Sequence, residues 1–186
     1  MKKVVLLMML ILIGLSACAT APSIPKGAKS SEVTFYFYGN DLSALTFWRK
    51  INDDGSKGKR FSVGGTSQFG LIMNSGFKKP FEENINLEAG TYFLDSFQVS
   101  TKDGFVVSQG KNYALRNGWD DDNKKPLYMS FTVEEGKDLI LPRIEIIPIR
   151  SENGYEIVSF RLSGGDASAL TFGSLVQVDI STSSVK

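Results

Sequence analysis

The chain has 186 residues with 21 basic and 20 acidic side chains, so it is almost neutral and lacks a basic block suited to a nucleic-acid backbone. It contains no histidine and one cysteine, Cys18. These absences exclude Ser-His-Asp and Cys-His catalysis, imidazole-based zinc sites and any disulfide within the chain, and no cofactor is expected.

In chain order, Met1, Lys2 and Lys3 precede an unbroken apolar run, Val4–Ile13, the charged-then-apolar order of a secretion signal. The run is shorter than the roughly 20 residues needed to cross a bilayer core of about 30 Å, so a cleavable signal is expected rather than a span. Leu15-Ser16-Ala17-Cys18 then resembles the lipobox of bacterial lipoproteins. The resemblance implies diacylglycerol on the Cys18 thiol, cleavage before Cys18 and palmitate-type acylation of the freed amine. Several acyl chains at one residue make a durable anchor, since each buried CH₂ contributes about 0.8 kcal/mol. Position 19 is Ala, where related enteric lipoproteins held in the inner membrane carry Asp, which implies the outer membrane. Residues 1–17 are thus expected to be signal, 18–31 a lipidated flexible tether and 32–186 one domain. Ala, Ser, Pro, Lys and Gly dominate the tether, and Ile24 is its one sizeable apolar residue.

Beyond the tether, Val33, Phe35 and Phe37 alternate with Thr34, Tyr36 and Tyr38, which predicts a half-buried strand. Ala44–Ile51 predicts a second, followed by the turn Asn52-Asp53-Asp54-Gly55-Ser56-Lys57-Gly58, with Lys57, Lys59 and Arg60 read as a solvated hairpin tip. Further strands are predicted over Gln68–Met73, Asn84–Leu87, Thr91–Val99, Phe105–Ser108, Leu127–Val133, Asp138–Leu141, Ile144–Ile149, Tyr155–Leu162 and Ala169–Asp179. Asp103-Gly104 and Asn153-Gly154 suit hairpin turns that require positive φ. No window holds helical spacing over three turns. The expected class is all-β, a single antiparallel β-sandwich of about ten strands.

A repeat lies within this pattern. Gly39-Asn40-Asp41-Leu42-Ser43-Ala44-Leu45-Thr46-Phe47 and Gly164-Gly165-Asp166-Ala167-Ser168-Ala169-Leu170-Thr171-Phe172 are identical at seven of nine positions. In the same register Val33, Phe35 and Phe37 align with Val158, Phe160 and Leu162, so two related positions in one sandwich are expected. Leu87-Glu88-Ala89-Gly90-Thr91-Tyr92 and Phe131-Thr132-Val133-Glu134-Glu135-Gly136-Lys137 resemble turns in small Gram-negative lipoproteins with a transthyretin-like, or prealbumin-like, sandwich. That family implies a sandwich and carries over no catalytic residue.

Few residues suggest chemistry. Asp120, Asp122 and Asn123 could ligate calcium through oxygen, although their spacing fails the EF-hand pattern, and a solvated loop is the plainer reading. Trp119, and Trp48 beside Phe47, could stack on a sugar or fill the core. Asp41 and Asp166, each two residues before a serine, could meet a ligand or cap their own loops. Gly65-Thr66-Ser67-Gln68-Phe69-Gly70 misses the nucleophile-elbow pattern at Phe69. Glu82/Glu83 and Glu134/Glu135 are adjacent and, on a strand, would face opposite ways. The expectation is a non-catalytic envelope lipoprotein, attached to the outer membrane by lipid and binding or scaffolding a protein or glycan. The alternatives are an accessory subunit of a secretion or surface-assembly system and a carboxylate-based hydrolase.

Overall fold

In the computed structural model, residues 22–37, 44–64, 81–100, 106–108, 118–151, 154–164, 166–173 and 177–180 are described. The predicted strands Gln68–Met73, the Gly65–Gly70 segment, Cys18 and Asp41 lie outside them. In chain order the strands are β1 (Ser30–Phe37), β2 (Ala44–Ile51), β3 (Lys57–Gly64), β4 (Phe81–Glu88), β5 (Gly90–Ser100), β6 (Val106–Ser108), β7 (Trp119–Asp120), β8 (Lys125–Pro126), β9 (Met129–Val133), β10 (Leu139–Ile140), β11 (Arg143–Ser151), β12 (Gly154–Ser163), β13 (Thr171–Phe172) and β14 (Gln177–Ile180). Among the described residues four of these strands are only two residues long, and β3 is one that the sequence did not predict. Among the described residues the one helical element is a 3₁₀ turn, Ala167–Ala169.

One layer is a six-stranded sheet in the order β13-β9-β5-β2-β3, with β6 also paired to β5 and every pairing antiparallel. Facing it are two three-stranded sheets, β10-β1-β4 and β11-β12-β14. In each, the central strand has one antiparallel and one parallel neighbour: β1 runs parallel to β10, and β12 parallel to β14. The all-β class therefore holds, with two parallel pairings that alternation along the chain has no means of showing.

The core forms where the layers meet. Phe35 and Phe160 come from the small sheets, while Trp48, Phe61, Tyr92, Leu94, Phe97, Met129, Phe131 and Val133 come from the large one, all buried. Phe131 centres one aromatic cluster, 5.2 Å from Trp48, 5.7 Å from Phe35 and stacked on Tyr92 at 5.5 Å. Phe97, Tyr128 and Phe160 form a second, at 6.0–6.3 Å. Each such pair adds about 0.5–1.5 kcal/mol to what burial of the rings contributes.

Alternation along β5 fails once, and the failure shapes the outer surface. Tyr92 and Leu94 face the core, but the pairing with β2 skips from Ser96 opposite Phe47 to Leu94 opposite Trp48. Asp95 is the extra residue of a β-bulge, so Asp95 and Ser96 both face outward and Phe97 returns to the core. Phe93 points outward as well, where the β7–β8 hairpin covers it with Trp119 at 4.6 Å.

Glycines close two turns as expected: Gly90 has φ +143° where the Gly-Thr-Tyr turn enters β5, and Gly136 has φ +67° ahead of β10. Strands β5 and β6 pair in antiparallel register, and Asp103-Gly104, where a turn is expected, lies outside the described residues. Asn153 also lies outside them, between paired Ser151 and Gly154.

Three sequence expectations differ in detail. Strand β1 starts at Ser30, inside the stretch read as tether, because Ser31 is buried, donates its hydroxyl to Glu134 O at 2.6 Å and pairs with β4. Lys57, Lys59 and Arg60 are exposed as expected but belong to β3 rather than to the hairpin tip; the turn is shorter, closed by Asn52 N to Ser56 O at 2.9 Å with Gly55 at φ +75°. The run Ala169–Asp179 is broken, since Asp166 caps the 3₁₀ turn before β13 begins.

Candidate functional site

The open end of the sandwich, where the chain arrives from its N-terminal segment, holds a cavity of about 260 Å³. Its floor is Phe61 and Tyr92, in edge contact at 6.0 Å. Lys50, Asn52, Gly58, Lys59 and Glu88 line the sides, and Pro22-Ser23-Ile24-Pro25 forms the remaining wall.

Local backbone chemistry builds this end. Lys50 follows Trp48 on the inward-facing side of β2 and reaches Glu88, with its Nζ 2.9 Å from Glu88 Oε2. It does so by crossing Gly90, where a Cβ would stand 2.5 Å from Lys50 Cε. The Tyr92 hydroxyl donates to Glu88 O at 2.8 Å. On the opposite wall, Ala89 N donates to Lys29 O and Ala28 N to Pro25 O, which turns the N-terminal segment back across the opening.

Burial, and after it the Glu88 carboxylate, push the Tyr92 hydroxyl well above the ordinary tyrosine pKa, and burial raises Tyr128 to about 12. The neutral phenols are the folded form. Below about pH 10 both folded and unfolded chains keep these protons, so stability does not depend on them; above it only the unfolded chain releases them, and stability falls as pH rises. Melting temperatures from about pH 9 to about pH 12 are expected to drop steeply above pH 10 and less steeply in a Tyr92→Phe/Tyr128→Phe double variant. Equal slopes for the two proteins would remove the tyrosines as the cause.

Across the sheet from the cavity, the bulge at Asp95 gathers a second polar group. The Asp95 carboxylate lies 3.1 Å from Arg49 Nε and 3.4 Å from Arg60 Nε. The first contact is ionic without being a hydrogen bond, because the Arg49 Nε–H finds no aligned acceptor. Arg49 Nη1 donates instead to Gly58 O at 2.9 Å. Arg60 bonds Ser96 Oγ and stacks on Phe47, 3.7 Å from the ring centre. Burial draws the Arg60 pKa down, Asp95 opposes this and Arg49 adds to it. Two guanidiniums on one carboxylate, with their remaining contacts internal, fasten β2, β3 and β5 together on the face that lacks the core. The signal for this cluster was the three-residue step from Leu94 to Phe97 inside a predicted strand, with a carboxylate in the gap.

No family model, curated protein or solved structure matches this chain.

The residues singled out in the sequence do not converge on one place. Trp119 is 6 % exposed and packed on Phe93, and Trp48 is 1 % exposed in the core, so neither offers a ring to a sugar. Asp120 Oδ1 accepts from Asp122 N and Asn123 N at 3.1 Å, and Oδ2 accepts from Asn123 Nδ2 at 2.8 Å. The Asn123 bonds hold this carboxyl below the usual carboxylate range. Asp121 turns away to Lys57 at 2.8 Å. Asp120, Asp122 and Asn123 thus close their own turn, and among the described residues no three metal-ligating side chains converge. Asp166 likewise accepts from Ser168 N at 2.9 Å and Ser168 Oγ at 2.6 Å.

The acidic pairs are also engaged. Glu83 Oε2 accepts from Gly64 N at 2.9 Å while Glu82 is exposed. Glu134 and Glu135 sit in a turn rather than on a strand, and they pair with Lys137 and Lys29. The cavity residues Lys50, Lys59, Phe61 and Tyr92 were not linked in the sequence, because they lie on three strands and meet only when the sandwich closes.

Proposed function

We propose that this chain is a lipid-anchored envelope protein, held at the outer membrane through Cys18, whose β-sandwich serves as a non-catalytic binding or scaffolding module. The observation that carries the reading is the order Lys2-Lys3, apolar run, Leu15-Ser16-Ala17-Cys18 ahead of an all-β body. The turns at Gly90 and Gly136 take the positive φ that tight turns between strands favour.

The distance from anchor to body adds to it. Pro22 already lines the cavity, and the four residue steps from Cys18 to Pro22 span at most about 14 Å. An anchored molecule therefore carries the open end of its sandwich near the bilayer surface. The cavity lies at that end, with an apolar floor and a polar rim.

Strand addition, the mode an accessory subunit would use, has less support. Of the described edge strands, β3 carries Lys57 and Lys59, and β4 carries Glu82 and caps Gly64 N through Glu83. These are devices that discourage edge pairing.

Growth with radiolabelled palmitate tests the anchor. The wild type is expected to take up label and sediment with membranes, and Cys18→Ser to take up none and keep its signal. An unlabelled wild type would overturn the proposal.

A further inference from the structure

The lining of the end cavity restricts its occupant. Lys50 and Glu88 neutralise each other, the Tyr92 hydroxyl is donated to Glu88 O, Asn52 Nδ2 donates to Ser56 Oγ at 2.8 Å, and Gly58 O accepts from Arg49. One charged group on the wall remains: Lys59, which enters no ion pair among the described residues. Around it are the largely buried rings of Phe61 and Tyr92 and the residues Ile24, Pro22 and Pro25. A sugar needs many hydrogen-bonding partners, and beyond the groups above the wall adds the Ser23 hydroxyl. A ligand with one negative charge and an otherwise apolar body needs what is present. The volume, about 260 Å³, holds about eight groups the size of a water molecule, enough for an anionic head and the first methylenes of a chain.

We propose that the cavity between Pro22–Pro25 and the β2–β3 hairpin binds a single-chain anionic amphiphile from the membrane, its head on Lys59 and its chain over Phe61, Tyr92 and Ile24. The binding chemistry rests on the cavity alone; its supply from the bilayer rests on the anchor proposed above. Because the wall that closes the cavity leads directly to Cys18, an occupant is gripped between the anchor segment and the sandwich. The rest of its chain extends through the opening toward the surface from which it came.

The full-length protein in nanodiscs of zwitterionic phosphatidylcholine, titrated with radiolabelled octanoate against empty nanodiscs, reads the binding. Saturable uptake is expected, together with a rise in melting temperature, because a ligand of the native state stabilises it. Octyl glucoside, neutral and of equal chain length, is expected to compete at least about tenfold less well. Lys59→Glu, on an exposed edge strand, is expected to weaken octanoate at least about tenfold without changing the ligand-free melting temperature, and Lys59→Arg to retain it. Ile24→Asp is expected to weaken it too, by placing a second negative charge beside the chain. Uptake no greater than in empty nanodiscs, equal competition by octyl glucoside, or unchanged binding in both Lys59→Glu and Ile24→Asp overturns the proposal. Palmitate labelling at Cys18 is read separately, so an unlabelled protein that binds octanoate refutes the anchor and leaves the site standing.

Discussion

Trp48→Ala is expected to cost about 3–5 kcal/mol, a large fraction of the stability of one domain. The indole is 1 % exposed and lies between Phe35 at 5.8 Å and Phe131 at 5.2 Å, so it joins a small sheet to the large one. Its Nε1–H donates to Thr46 Oγ1 at 2.9 Å, and that hydroxyl donates to Val63 O at 2.9 Å, which ties the ring to β3 as well. Truncation opens a cavity between layers whose backbones are fixed by pairing on both sides, so collapse around it is limited. Trp48→Phe keeps a ring against Phe131 and loses the hydrogen bond and part of the volume, with an expected loss of about 1–2 kcal/mol. Denaturant unfolding followed by circular dichroism measures both. A cost below about 1 kcal/mol for the alanine variant would show that the layers are joined elsewhere.

Gly118→Ala should be almost as severe, although it adds only a methyl group. A Cβ at Gly118 would stand 1.8 Å from Leu94 O and 2.9 Å from Tyr128 Cδ2. The glycine is sealed against the bulge of β5, donating its N–H to Asp95 O and accepting at its carbonyl from Leu127 N, both at 2.9 Å. Since β5 is paired on both sides, the β7–β8 hairpin has to lift instead, which uncovers Phe93 and Trp119. Exposing two large aromatic side chains costs about 3 kcal/mol or more. The expected result is that loss of stability together with a red shift in Trp119 emission, read in a Trp48→Phe background. Unchanged emission and stability would mean that β5 yields instead of the hairpin.

Both variants bear on how far the chain could be read without its fold. Strand β2 matches its predicted bounds, Ala44–Ile51, because a strand's alternation and its closing turn are local. The turn after it closes through Gly55 and through Ser56 N bonded to Asp54 Oδ1 at 2.8 Å, contacts between near neighbours in the chain. The repeat shows where such reading stops. Thr46 is buried and Phe47 lies outward under Arg60, whereas Thr171 is exposed and Phe172 packs toward the core. The same Thr-Phe pair thus enters the same sheet with opposite faces inward. The preceding strands do correspond: β1 and β12 are each central in a small sheet, with Phe35 and Phe160 in the core.

The candidate site was illegible for a related reason. Lys59 read as a solvated residue, and its exposure bears that out, but its neighbours across the cavity come from Ile24 and Tyr92, far away in the chain. Arg60 read the same way and is exposed, yet it lies against Phe47 and Asp95, because the bulge at Asp95 turned a carboxylate outward beneath it.

By itself the sequence determined the all-β character, most strand positions and the turns at Gly55, Gly90 and Gly136. Each of these depends on φ preferences and on two-residue alternation, which are properties of neighbouring residues. Only the tertiary structure decided which face of each strand is inward, that β1 and β12 take parallel partners, and that the N-terminal segment closes the end of the sandwich. Those outcomes depend on register between distant strands, and a single extra residue, Asp95, is enough to turn Ser96 outward and Phe97 into the core.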